Sequence, residues 1–341
     1  MKVLLDNSKK YYKANLHTHS TNSDGRLTPQ QIKDLYKSNG YSIVAITDHE
    51  HVLDNSYLDD EEFMTITSCE IAIREFWGKP RPKSWSHMRL VHLNFYALDQ
   101  HNTITPCYNP SYDHFTNPEI EHLIKYDGVY KRDISPEGIN DIIKKANEAG
   151  FIVSYNHPAW SLENSSHALN YDGFFAIEIY NHSCAKLGVP EYSVAIFDDM
   201  LRDGKKIYCT MCDDAHFKAD FDSPDFDALG GWIMINAEKL EYSHIMEMLQ
   251  KGNFYASMGP EIYSLTVDND KVHITCSKAV QIAYTNQGKK ARAVNAKFGE
   301  TVTEAEFTID YVDDVWFRIT VKDEYGKVAH TQSYMINETV D

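Results

Sequence analysis

Nowhere in the chain do apolar residues run on for the roughly 18 positions that a bilayer-spanning helix needs, so no such helix is expected. Basic residues are scarce as well: 33 Lys and Arg face 50 Asp and Glu, a net charge of −17. An acidic surface repels polyanions, which disfavours backbone-led binding of long nucleic acid. Cysteine is sparse, with 6 in 341 residues, and a chain of this length buries a full core without a disulfide framework. Cys209 and Cys212 do make a C-x-x-C spacing. They lie in a strand-like run, however, where positions three apart face opposite sides, and no second pair completes a zinc site. They read as core. Repeats and low-complexity tracts are absent too. The only apolar stretch near the start is Val3-Leu4-Leu5, too short for a signal-peptide core, so a cytoplasmic protein is expected.

What remains is an ordinary folded composition, 43% hydrophobic and 24% charged. From about residue 13 to 257, short β-branched runs alternate with amphipathic helices. Thr28-Pro29 with Gln31 signals a helix start with a capping box, Gly40 a stop, and Ser42-Ile43-Val44-Ala45-Ile46 a buried strand. The unit recurs with Ser135-Pro136, then Gly150, then Phe151-Ile152-Val153-Ser154-Tyr155. Further strands are expected at 63–67, 90–97, 174–179, 206–211 and 232–235, with a helix near 193–201. Repeated β-α units imply an α/β fold on a largely parallel sheet, and this many strands favours a barrel. The stretch 99–133 breaks the rhythm, with one helix expected at 117–125; it suits either a lid or a structural excursion. Beyond Pro260, alternating strands and tight turns predict a small antiparallel β-domain, sandwich-like. The expected division is therefore 1–260 and 261–341.

Metal-ligand residue types recur at the strand ends. His17 and His19, two apart on one strand, share a face. Asp24 follows; Asp48-His49 ends the next strand, and Glu70 the one after. His92, Asn156-His157-Pro158 and Asp213-Asp214-Ala215-His216 continue the series. Any one of these histidines is more often a plain core or surface residue. Ligands at the ends of successive parallel strands, however, converge on one mouth. Asp48 reads either as a residue orienting a ligand imidazole or as a strand-end polar group.

His17-Thr18-His19, Thr47-Asp48-His49, Glu70, His92, His157-Pro158 and Asp214-Ala215-His216 resemble, in order, the motifs of the polymerase-and-histidinol-phosphatase (PHP) family. The resemblance covers about residues 13–260, and the segment 252–260 is similar to the end of bacterial PHP phosphoesterases with a small β-domain. It implies a distorted (β/α)7 barrel holding two or three divalent ions, zinc, manganese or iron. His17, His19, Glu70 and Asp214 would hold the first; Glu70, shared, with His92 and His157 the second; Asp24, His49 and His216 the third. A bridging hydroxide would attack phosphorus in a small phosphate ester, with Glu70, Asp214 and His216 as the catalytic residues.

In one place the chain departs from that pattern. Several family members follow His-Pro with Gly-Arg, whose arginine binds phosphate, whereas here Ala159-Trp160 follows. Arg74 and Arg89, close in sequence to two ligands, are the replacement candidates, with Lys186 a weaker one. The alternatives are a phosphodiesterase or 3′-exonuclease-like hydrolase, which the charge disfavours, and a binding or scaffold protein with a vestigial barrel. No expected ligand is missing, as the scaffold reading would require.

Overall fold

Local side-chain chemistry sets the helix starts. In the computed structural model, which describes residues 1–75, 85–290 and 292–339, the Thr28 hydroxyl accepts from the Gln31 N–H. The Gln31 side chain in turn accepts from the N–H of Thr28. This closed box opens helix α1 (Pro29–Ser38), which buries Ile32 and Tyr36. Ser135 caps α2 (Pro136–Glu148) through its hydroxyl alone, which accepts from the Gly138 N–H, and Ile139, Ile142, Ile143 and Ala146 form the buried stripe. The other helices are α3 (Ser165–Ala168), α4 (His182–Leu187), α5 (Val194–Arg202), α6 (Tyr242–Gln250) and α7 (Ile336–Thr339).

The strands up to the 99–133 insertion are β1 (Lys2–Leu5), β2 (Lys10–Asn15), β3 (Ile43–Ala45), β4 (Met64–Ile66), β5 (Ser68–Arg74) and β6 (Leu90–Ala97). Within and beyond it come β7 (Ile104–Thr105), β8 (Lys125–Tyr126), β9 (Phe151–Tyr155), β10 (Ala176–Asn181), β11 (Tyr208–Cys212), β12 (Trp232–Ala237) and β13 (Phe254–Ser257). The C-terminal part adds β14 (Ile262–Asp268), β15 (Lys271–Ala279), β16 (Gln281–Asn286), β17 (Arg292–Asn295), β18 (Val302–Thr308), β19 (Trp316–Lys322), β20 (Val328–Thr331) and β21 (Tyr334–Met335).

The fold is mixed α/β. One large sheet runs β4-β3-β2-β12-β13-β20-β19-β16-β17, and a second runs β5-β6-β9-β10-β11. β2, β3 and β4 are parallel, as are β9, β10 and β11, but β6 runs antiparallel to both β5 and β9. The sequence reading expected successive parallel strands there, and β6 breaks that order. Isolated bridges Thr18↔Ala215 and His49↔Glu70 join the two sheets near their edges. Among the described residues no continuous ladder closes a barrel.

Burial follows from this layering. β6 and β9 are buried along their whole length, as strands covered on both faces must be. β15 and β16 instead alternate, with one face turned to solvent. The inward face of the third sheet, β1-β14-β15-β18, and that of β16 and β19 in the large sheet enclose a second core around Leu265, Val272, Ile282, Tyr284 and Phe317. Residue 260 is crossed in both directions. N-terminal β1 pairs with β14, β13 pairs with β20, and Trp316 lies in the first core. Cys209 and Cys212 are both core residues of β11.

The 99–133 insertion holds the two-stranded β7–β8 ribbon and a 3-10 turn, Pro118–Leu123, in place of the expected helix. No residue of that turn is buried, so it has no apolar stripe that would extend it. The insertion is pinned by Arg132, whose guanidinium donates to Glu50 (2.8 Å), to the carbonyl of Ala72 (2.8 Å) and to that of Cys107 (3.0 Å). No described helix is long and apolar enough to cross a membrane.

Candidate metal centre

The chain leaves β2 still extended, so His17 and His19 point to one side, and Thr18 bridges to Ala215 beyond β11. That bridge sets the β2 histidines beside Asp214 and His216. His49 follows β3 and bridges Glu70. The sequence reading ended the strand at 63–67 with Glu70; the structure stops β4 at Ile66 and carries Glu70 inside β5. His92 lies near the start of β6, not at a C-terminal end. Because β6 is antiparallel to β9, that start lies beside the end of β9, where His157 follows. Direction is reversed, yet the mouth is shared.

Asp24 reaches the cluster from the loop after His19. Asp48 shapes that loop: its carboxylate accepts from the Ser20 N–H (2.7 Å), the Ser20 hydroxyl (2.6 Å) and the Ser23 hydroxyl (2.6 Å). Its bonds therefore hold the loop that carries Asp24. Gly25 permits the turn, because a Cβ there would sit 2.2 Å from the His19 carbonyl oxygen. Asp213 faces away from its neighbour Asp214 and accepts from the N–H groups of Leu229, Gly230 and Gly231. His157 (φ 23°) and Asp214 (φ 54°) adopt left-handed backbone that non-glycine residues rarely occupy.

The donor atoms group in four overlapping sets, each within 4.8 Å. These are His19, Asp24, His49 and His216; His17, His19 and Glu70; His17, His157 and Asp214; and Glu70, His92 and His157. Every ligand candidate named from the sequence falls in at least one set. His19 joins the group around Asp24, which the sequence had given as Asp24, His49 and His216 alone.

Outer partners turn the imidazole nitrogens inward. Nδ1 of His17 lies 2.9 Å from the Glu178 carboxylate, Nδ1 of His216 lies 2.9 Å from the Asp214 carbonyl, and Nδ1 of His157 lies 3.2 Å from the Ser161 hydroxyl. Carboxylate and carbonyl only accept, so Nδ1 of His17 and of His216 carries a proton and Nε2 is the nitrogen turned to the cluster. Nε2 of His17, Nδ1 of His19 and Oδ1 of Asp24 are buried with no hydrogen-bond partner. Lone pairs crowded together without donors suit a cation.

Charge tells the same way. Burial alone would raise the carboxyl of Glu70, but the imidazoles of His92, His17 and His157 around it hold it well below the usual range. Burial likewise opposes the ionised form of Asp214, and His17, His19 and His216 override it. Burial, with the neighbouring His216 and His49, pushes His19 down to about 4, so at neutral pH its lone pair is free.

The arginines singled out from the sequence go elsewhere. Arg89 donates to Glu163 (3.0 Å) and to the Ile134 carbonyl, and Arg74 lies over the Tyr112 ring, 4.9 Å from its centroid. Lys186 donates to the Pro224 carbonyl. A cation the sequence reading missed, Lys218, lies 3.6 Å from Asp24. Glu178 was missed too, although its signal was there, a carboxylate between Ile177 and Ile179 in a buried strand. Phe115 and Trp160, whose rings pack on ligand imidazoles, carried no periodic signal.

No family model matches the chain, and no curated protein does. Among solved structures, it is similar to a two-domain protein from Bacteroides vulgatus described as containing a predicted PHP-like metal-dependent phosphoesterase. That match has 13% identity and a TM-score of 0.47, over 97% of this chain and 96% of the other. A protein from Bifidobacterium adolescentis named as a metal-dependent phosphoesterase matches at 15% identity and TM-score 0.35, over 62% and 90%. An amidohydrolase from Chromobacterium violaceum, solved with sulfate and no metal, matches at 14% and 0.38, over 71% and 96%.

Proposed function

We propose that the chain is a metal-dependent hydrolase of small phosphate esters, of PHP type, its two sheets forming a distorted (β/α)7 barrel. The observation that carries this is the inward-facing set of Nε2 of His17, Nδ1 of His19 and Oδ1 of Asp24, buried and making no hydrogen bond, amid six further ligand-type side chains. Residues 1–260 supply every ligand, and 261–341 form a β-unit that buttresses them.

His17, His19, Glu70 and Asp214 would hold one ion, Glu70, His92 and His157 a second, and Asp24, His49 and His216, with His19 beside them, a third. Mixed imidazole and carboxylate donors suit zinc, manganese or iron. Such ions supply Lewis acidity and activate a water nucleophile near neutral pH. The chain's own part is orientation. Glu178 and the Asp214 carbonyl fix the ring orientation of His17 and His216, Ser161 positions the His157 ring, and Glu70 and Asp214 balance the local charge. With His216 they form the reacting centre. Lys218, on the Asp24 side, is the cation placed to attract a phosphoryl group. The acidic surface favours a small substrate over long nucleic acid.

The test is release of the alcohol from a panel of phosphate mono- and diesters, with phosphate release followed for the monoesters, by protein supplied separately with manganese, zinc and iron. Turnover of small monoesters that chelation abolishes and one of these metals restores is expected. No hydrolysis of any ester with any metal contradicts the proposal.

A further inference from the structure

Two aromatic rings flank the ligand cluster, and neither serves as a ligand. Phe115, from the 99–133 insertion, packs on His49 with ring centroids 5.3 Å apart. Trp160, in the turn after His157-Pro158, packs on His92 (5.6 Å) and edge-on to His157 (5.0 Å). His49 and His92 are themselves neighbours at 6.1 Å, so the two rings bracket one pair of imidazoles.

A single exposed apolar residue is ordinary; the position of this one is not. Phe115 leaves 47% of its surface exposed while touching a ligand imidazole. It is also held in place. Next to it, the Asn117 N–H donates to the Asn22 carbonyl (2.9 Å) and the Asn117 side chain to the Thr21 carbonyl (3.1 Å). Both acceptors belong to the loop that delivers Asp24. The turn carrying Trp160 is fixed to His157 through Ser161, whose N–H donates to the His157 carbonyl (3.1 Å). Lys218 lies on the Asp24 side of the cluster, 3.6 Å from that carboxylate. Trp160 lies on the His92 side.

We propose, resting on the hydrolase reading above, that this site selects phosphate monoesters whose leaving group carries a planar unsaturated ring, with Phe115 and Trp160 as the specificity-determining residues. Ring faces and edges attract another ring in offset or edge-on geometry, a preference that a saturated ring of similar size cannot exploit. Hydrolysis transfers the phosphoryl group to water and returns the ring-bearing alcohol with one proton.

The test uses the full chain loaded with metal and two pairs of compounds differing only in ring saturation: benzylphosphonate against cyclohexylmethylphosphonate for binding, and the two corresponding phosphate esters for turnover. Leaving-group basicity is nearly matched within each pair, and the saturated member is the more hydrophobic. Calorimetry is expected to give the benzyl compound at least about fivefold tighter binding. Trp160→Leu and Phe115→Leu, at unchanged metal content, each reduce that ratio, and the kcat/KM ratio of the esters falls in step. Equal binding, binding of neither phosphonate, or a preference that both variants retain overturns the inference. Metal content and the ester panel separate the two claims. A chain that binds metal and hydrolyses both esters equally loses only the ring preference, whereas a chain without metal or hydrolysis loses the underlying function as well.

Discussion

The Glu178 carboxylate lies 2.9 Å from Nδ1 of His17, and both side chains are shut off from solvent, at 1% and 0% exposure. A carboxylate behind an imidazole fixes which nitrogen faces the cluster and strengthens that nitrogen as a donor. Asn181 clamps the same carboxylate at 2.8 Å and reaches Asp214 at 3.0 Å, so one residue steadies two ligands.

Replacing Glu178 therefore weakens metal binding without removing a ligand. Glu178→Ala is expected to lower metal affinity by about 10–100-fold, and Glu178→Gln, which keeps an acceptor, by less. Competitive metal titration measures both. Unchanged affinity in the alanine variant means that Glu178 does not tune His17.

Arg132 is fully buried and faces Glu50, itself at positive φ (70°). Removing one partner strands a buried charge, so Arg132→Met is expected to cost about 3–5 kcal/mol of stability. Glu50→Gln combined with Arg132→Met recovers part of that loss. Because the pair ties 99–133 to β5, protease cleavage in the insertion should rise in the single variant. Denaturant melts and limited proteolysis read both, and a neutral single variant contradicts the role.

His330 ties α5 to the C-terminal sheet. Its Nδ1 accepts from Arg318 (2.9 Å), which also pairs with Asp198, and its other nitrogen meets the Tyr192 hydroxyl. Burial, then the Arg318 charge, pushes His330 well below the usual imidazole range. The unfolded chain takes up this proton below pH about 6.5 and the folded chain does not. The contribution is thus fully present above that pH and lost as pH falls, by up to about 1.4 kcal/mol per unit. His330→Gln should flatten the fall in stability between about pH 6.5 and 5. An unchanged slope contradicts a neutral buried His330.

Truncation after Pro260 removes no ligand, yet the shared packing predicts failure to fold. The Gln332 side chain bonds both the N–H (2.7 Å) and the carbonyl (3.0 Å) of Cys209, and Trp316 fills part of the first core. Circular dichroism and a thermal melt of 1–260 should show no cooperative transition. A folded fragment that binds metal contradicts this.

The parts legible in the sequence were those fixed by local chemistry. The capping box at Thr28, the Ser135 cap, the glycine stops and the continuous apolar strands placed α1, α2, β6 and β9 closely. Residue types near strand ends named the nine histidine, aspartate and glutamate side chains of the four donor groups, but not Glu178 behind His17. Strand direction was not legible, because a buried run such as Leu90–Ala97 reads alike either way. Nor was the break between β4 and β5, which no glycine or proline marks. α6 (Tyr242–Gln250) was overlooked, although Ile245, Met246 and Leu249 form its buried stripe. The pairing of β1 with β14, such as Lys2 with Val267, joins distant parts of the chain, beyond any local pattern.

Glu70 lies in two of the four donor groups, touching His17 at 3.3 Å, His92 at 3.0 Å and His157 at 3.3 Å. The central claim is that this carboxylate is shared between ions. Elemental analysis of wild type and Glu70→Gln, purified side by side without chelator and checked for folding, tests it most directly. Two or three transition-metal ions per wild-type chain are predicted, and a folded variant holding at least one fewer, because an amide carries no charge to balance a second cation. A wild-type chain that stays empty after metal soaking, or a variant with the full complement, contradicts the account.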